Sequence, residues 1–170
     1  MSWWQDEKSF DIKCRDATIQ TQYLMNKKNL IADKVSTKQP AVWSAFGQLI
    51  LFIIDYAKSK GFEDQIVWEL ELIADEILTN IIRYAYPQGV GMIEVNCCYE
   101  ASKGLVIEIN DYGIPFSPLA YPTPDCTSDI NSIQTNGFGI YIVRCLLDDI
   151  AYKRKGNMNC LTLRKKTRAL

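Results

Sequence analysis

The sequence predicts an α/β fold, and three features carry that expectation. Two long stretches repeat apolar residues at helical spacing, two pairs of shorter stretches alternate as β-hairpins do, and a glycine-bearing segment opens a third helix. At 170 residues the chain has the length of one domain with a sizeable core.

In chain order, residues 1–27 read as an N-terminal extension, with Trp3 and Trp4 free to dock on the domain, on a second copy, or to stay exposed. The domain then spans 28–170. Lys28 to Ser36 reads as an edge strand with loose alternation. Pro40 suits the first turn of a helix that runs to about Lys60, with Gly61 as its stop. Val42, Phe46, Leu49, Ile53 and Ala57 keep one face of that helix apolar.

The next helix begins after Glu63 and Asp64, whose charges suit its N-terminal dipole, and ends at Tyr86-Pro87. Ile66, Leu70, Ile73, Ile77 and Ile81 form its apolar stripe. Glu76, Asn80 and Arg83 stand at i, i+4 and i+7 and so share an adjacent stripe. Here a carboxylate can accept a proton from a hydroxyl, and a carboxamide oxygen can hold a hard cation such as Mg²⁺. The plain alternative is a set of solvated polar positions.

Met92 to Tyr99 and Leu105 to Ile109 read as a hairpin that delivers Asp111 to the end of a strand. Phe138 to Leu147 reads as a helix closed by Asp148-Asp149. Ile150 to Arg154 and Asn159 to Arg164 read as a final hairpin turning at Lys155-Gly156-Asn157. Between Ser117 and Asn136 lie three prolines, polar residues and no periodicity, a length of irregular chain that usually serves function or motion.

Composition excludes several chemistries. There is no histidine, so there is no Ser-His-Asp or Cys-His pair, no imidazole metal site and no phosphoacceptor histidine. The six cysteines, at 14, 97, 98, 126, 145 and 160, form no Cys-x-x-Cys and read as reduced thiols. A net charge of −1 gives no overall attraction to nucleic acid, although eight basic and two acidic residues follow from Gly137 onward. The basic end, Arg164 to Arg168, reads as a solvated tail or a contact for an acidic partner. The start of the chain lacks a signal peptide, and the longest apolar run, Leu49 to Ile54, is too short for a bilayer. Hence the expectation is a cytoplasmic protein that contacts neither membrane nor nucleic acid directly.

Three motifs follow one another in order: Glu76-x-x-x-Asn80, then Asp111-Tyr-Gly113-Ile-Pro-Phe, then Gly137-Phe138-Gly139-Ile140. Together they resemble the histidine-kinase-like ATPase (GHKL, Bergerat-fold) superfamily. Asp-x-Gly-Ile-Pro-Phe-x-Pro and Gly-Phe-Gly-Ile-Tyr-Ile-Val-Arg are similar to its anti-sigma-factor serine/threonine-protein kinase branch, over roughly residues 28 to 166.

The resemblance implies a two-layer sandwich, a mixed and mostly antiparallel sheet with helices on one face. It implies an ATP site with Asp111 reading the exocyclic amine of adenine and Gly113 letting the backbone approach the base. Asn80 would hold Mg²⁺, and the 137–140 segment would meet phosphate at a helix N-terminus. Glu76 would be the catalytic base, Thr162 would stand beside the adenine, and Arg83 would lie on the phosphate or partner side. Residues 117–136 would form the lid over ATP. The implied activity is serine/threonine-protein kinase action on a small antagonist protein, coupled to sequestering a sigma factor and so to transcription regulation. The family habit is a homodimer. One departure stands out: no basic residue lies between Pro118 and Gly137, where related kinases often carry one. Arg144 or a partner's arginine would then supply the cation. The alternative is a non-catalytic switch that binds nucleotide and a partner without transfer.

Overall fold

The structure, a computed structural model, describes residues 33–100, 103–120 and 138–166. The N-terminal extension, Gly137, most of the lid segment and residues 167–170 lie outside the described residues.

Five strands, β1 (Val35–Pro40), β2 (Met92–Glu100), β3 (Gly104–Asp111), β4 (Asp149–Lys155) and β5 (Met158–Lys165), form one sheet in the order β1-β2-β3-β5-β4. All four pairings are antiparallel. Three helices, α1 (Trp43–Ser59), α2 (Asp64–Asn80) and α3 (Phe138–Leu146), pack against it. This is the expected two-layer arrangement, and the described strands need no parallel pair. No helix among the described residues is long and apolar enough to cross a membrane.

Alternation decides which face is which. Ile93, Val95, Cys97, Leu105, Ile107, Ile109, Leu161 and Leu163 are buried, and they meet Leu49, Ile53, Leu70, Ile73 and Ile77 from α1 and α2 in one core. The residues between them on each strand, such as Glu94, Glu108, Asn110 and Thr162, lie on the other face. The apolar stripe expected on the second helix is the buried face of α2, from Ile66 at 2% exposed to Ile81 at 8%.

Three boundaries differ from expectation. The first strand, expected over Lys28 to Ser36, runs Val35–Pro40; residues 28–32 lie outside the described ones and 33–34 are not strand. Pro40 does not open α1; it ends β1, and the helix begins at Trp43. β1 is an edge strand, where a missing N–H disturbs no ladder, and the residue before proline favours extended backbone. Gly61 does end the helix, at φ 77°. The third difference is in the α2 segment, which stops being α-helical at Asn80 and continues as a π-turn, Ile81–Ala85. That wider turn changes the angular phase of everything after Asn80.

Buried charge ties the layers together. Glu69 of α2 and Lys165 of β5 are both buried and lie 2.5 Å apart. Lys165 also donates to the Leu146 carbonyl at the end of α3. Arg164 pairs with Asp149 on the neighbouring strand. The first two residues of the basic end are therefore engaged within the domain rather than held in a solvated tail.

Candidate functional site

Asp111 ends β3, paired in register with Ile93 on one side and Asn159 on the other. It is 5% exposed, on the helix-facing side of the sheet. Its Oδ1 accepts from Gly113 N at 2.8 Å and from Asn159 Nδ2 at 2.9 Å. Oδ2 has no hydrogen-bond partner among the described residues. Burial pushes the carboxyl pKa up, against the pull of those two bonds and the nearby Arg154 charge.

Asn159 is 3% exposed and fully satisfied. Its amide N–H groups go to Asp111 Oδ1 and the Ile114 carbonyl (3.0 Å). Its carbonyl oxygen accepts from Tyr152 Oη at 2.8 Å and Arg154 Nη1 at 2.6 Å. Two donors and two acceptor sites are all an amide has, so this one is locked in orientation. The floor of the site thus offers a ligand one unspent acceptor, Asp111 Oδ2. An exocyclic amine can donate to it, whereas a carbonyl there would be repelled.

Above that floor stand Ile77 and Ile81 from α2 and the π-turn, Ile109 and Leu161 from the sheet, and Phe116 and Pro118 from the chain after the motif. These apolar walls suit the faces of a planar base. The space they enclose is about 20 Å³, room for about one water. A base must therefore displace Phe116 and Pro118 to enter.

Gly113 is required by packing. A Cβ there would overlap the Ala85 carbonyl and Cβ, and the next residue's N–H donates to that carbonyl at 2.9 Å. The π-turn carries Ala85 to this spot, which closes the wall behind Asp111.

One turn back along α2, Asn80 Nδ2 donates to Glu76 Oε1 at 2.8 Å. This leaves Asn80 Oδ1 as an oxygen ligand. The start of α3 packs onto the same pair: a Cβ on Gly139 would overlap the Glu76 carboxylate. Phe138 is exposed and begins the helix, while Ile140, at 3% exposed, is a core residue. Glu76, Asn80, Phe138 and Gly139 form one end of the site, and Asp111, Gly113 and Asn159 the other, with Ile77 and Ile81 between them.

Two expected members are elsewhere. Arg83 is exposed and lies over the Trp43 ring at 5.5 Å from its centroid; the π-turn has rotated it off the stripe of Glu76 and Asn80. Thr162 pairs with Glu108 and Ala151 and lies on the opposite face of the sheet from Asp111. The β5 residue beside Asp111 is Asn159. Strand parity could have located it, because with Leu161 and Leu163 facing the core, Thr162 faces out and Asn159 faces in. Arg154 and Tyr152 carried no sequence signal. Gly137 lies outside the described residues.

No cluster of three or more cysteine or carboxylate groups able to hold a metal occurs among the described residues. Asn80 Oδ1 with a nucleotide's own phosphates does fit Mg²⁺, which is commonly held by one or two protein oxygens plus substrate phosphate.

Comparison with known proteins shows what the chain is similar to. The serine-protein kinase RsbW of Bacillus thuringiensis (strain Al Hakam) is 25% identical over 132 residues, 76% of this chain and 82% of its own length. The same kinase of Bacillus mycoides (strain KBAB4) is 26% identical over the same shares. Among solved structures, the Acinetobacter baumannii histidine kinase AdeS aligns at a TM-score of 0.41 and 13% identity, covering 89% of this chain and 76% of that one. The family profile described as the histidine kinase-like ATPase domain matches residues 40–165, and with most of its length so matched the chain belongs to the histidine kinase-like ATPase family, its sequence relatives being serine-protein kinases.

Proposed function

We propose that this chain is an ATP-dependent serine/threonine-protein kinase of the anti-sigma-factor type. It would bind a sigma factor or similar regulator and phosphorylate a small antagonist protein. The observation that carries the reading is that one helical segment borders two groups: a Glu76–Asn80 pair under the start of α3, and, through the adjacent Ile77 and Ile81, the pocket floored by Asp111. The similarity to serine-protein kinases supports it.

In this reading adenine lies between Ile81 and Leu161 and donates its amine to Asp111 Oδ2. Mg²⁺, bound with the nucleotide, would be held by Asn80 Oδ1 and would neutralise phosphate charge. The N-terminus of α3, with Gly137 and Gly139, would face the phosphates. Glu76 would take the proton from the attacking hydroxyl, held for that task by Asn80. Residues 28–170 would form the kinase domain, 117–136 its lid, and two copies would associate, all in the cytoplasm.

A second reading, a nucleotide-gated binding module without transfer, is favoured by the position of Arg144. It stands in the last turn of α3, about 9 Å along the axis from Phe138 at 1.5 Å per residue. A cation for the γ-phosphoryl group would then have to come from a partner.

The experiment is phosphotransfer from γ-labelled ATP with Mg²⁺ into a lysate of the source cell. A small protein carrying acid-stable label, lost with Glu76→Gln while ATP still binds, is the outcome expected of the kinase. ATP binding with no label in any protein would leave the binding module. An active Glu76→Gln variant would remove Glu76 as base.

A further inference from the structure

A second opening shares no lining residue with the Asp111 pocket. It is a cleft of about 520 Å³ between the 85–90 segment and the 112–115 segment. None of Asp111, Asn159 or Leu161 lines it.

The cleft walls are tied by backbone bonds and by the Tyr86 hydroxyl. Tyr112 N donates to Tyr86 Oη at 2.8 Å, and Tyr86 Oη donates to the Met92 carbonyl at 2.9 Å. Ile114 N donates to the Ala85 carbonyl at 2.9 Å, and Gly89 N to the Tyr86 carbonyl at 3.3 Å. Its walls therefore exist before any ligand arrives, which lowers the ordering cost of binding.

Its chemistry is one-sided. The mouth carries Val90 at 67%, Tyr112 at 54% and Ile114 at 50% exposed, an apolar group of the kind that marks contact sites. Among the described residues the one charged group lining it is Arg154. That guanidinium is fixed: Nη1 donates to the Gly113 carbonyl (2.9 Å) and Asn159 Oδ1 (2.6 Å), and Nε to the Gly156 carbonyl (3.1 Å). Its Nη2 has no acceptor among the described residues. Arg154 is thus the cation the cleft offers, and an acidic group complements it.

We propose that this cleft is a protein-docking site, separate from the nucleotide pocket, which takes an apolar peptide segment bearing a carboxylate, the carboxylate meeting Arg154 Nη2 and the apolar side chains meeting Tyr86, Val90, Tyr112 and Ile114. The preformed walls fit a peptide better than a small acid, whose volume would leave the apolar mouth uncovered. The cleft does not depend on phosphoryl transfer and stands apart from the kinase reading.

The test is an amide-resolved NMR titration of the full-length, isotope-labelled chain with acetyl-Leu-Glu-Leu-amide, against acetyl-Leu-Gln-Leu-amide and sodium acetate. Saturable shifts at Gly89, Val90 and Tyr112, with the Gln peptide roughly tenfold weaker, are expected for one charge-assisted hydrogen bond. Val90→Asp, a change at an exposed position, places a carboxylate at the mouth and should weaken the Glu peptide by about tenfold. Equal response to Glu and Gln peptides, shifts elsewhere in the protein, an unaffected Val90→Asp variant, or acetate reproducing the shifts would each overturn the site. ATP is titrated into the same sample. Shifts at Ile77, Ile109 and Leu161 keep the two sites apart; ATP saturating the cleft amides instead would overturn the proposal. A peptide that binds while ATP shifts nothing would sink the nucleotide reading alone.

Discussion

Glu76 and Gly139 occupy one shared space: the carboxylate of α2 lies where a side chain on residue 139 would begin. Gly113 stands in the same relation to Ala85, but there the neighbour is backbone. The two glycines should therefore respond differently to a methyl group. Gly113→Ala meets a carbonyl that cannot swing aside and should cost about 1–3 kcal/mol of stability. Gly139→Ala meets the end of a flexible side chain, so it should cost less stability but displace Glu76 and lower phosphotransfer. Paired thermal melts and phosphotransfer assays separate the cases; equal melting losses would show that Glu76 cannot move.

Asp111 is a buried carboxyl whose burial costs stability at neutral pH. Burial raises its folded pKa above the ordinary 3.8, so between that value and the raised one the native state holds the extra proton. Stability from this group is present at low pH and declines as pH rises through that window. Asp111→Asn can keep its oxygen toward Gly113 and Asn159 while turning an N–H₂ toward the base. The expected result is a melting temperature at neutral pH that is unchanged or higher, together with loss of ATP binding by calorimetry. A large fall in melting temperature would contradict the assigned cause.

Asn159 and Thr162 make a sharp comparison. Thr162→Val changes the far face of the sheet and should leave ATP affinity within about twofold, as distant surface changes usually do. Asn159→Leu removes a bond to Asp111 and orphans Tyr152, Arg154 and the Ile114 carbonyl, so ATP affinity should drop by more than about tenfold. The reverse ordering in a binding titration would restore Thr162 to the site.

Lys165→Met leaves Glu69 buried without its cation and should destabilise by about 3–5 kcal/mol. Adding Glu69→Leu should recover most of that loss, since an apolar pair can replace a buried ion pair. Chemical denaturation of the single and double variants checks this; a double variant no better than Lys165→Met would mean the pair specifies the packing of α3.

Much of this was legible in the sequence, for identifiable reasons. Period and parity mark the core face of α2 and the two hairpins because most buried residues there are apolar, with Glu69, Asn96, Asp111, Asn159 and Lys165 as the polar exceptions. Asp111 and the Glu76–Asn80 pair were legible because their chemistry depends on local spacing along one element. Asn159 and Arg154 were hidden because their meaning comes from cross-strand register and a bond to Gly113, 41 positions away in sequence. The turn at Ile81–Ala85 was hidden because a π-turn leaves no periodic trace within five residues. Pro40 was ambiguous because a proline suits both a helix start and an edge strand.

The π-turn has a consequence for how this chain can change. It acts as a phase shifter, giving the helix before Asn80 and the stretch after it independent rotational settings. Up to Asn80 the setting serves the Glu76 end; beyond it, the setting brings the Ala85 carbonyl to Gly113 and Ile114. Loss of a single residue between Ile81 and Ala85 would restore an even screw while dragging Ala85 out of register with the loop at Gly113 and Ile114. A length change in this stretch therefore disturbs both ends of the site at once, whereas a substitution at exposed Arg83 or Tyr84 does not.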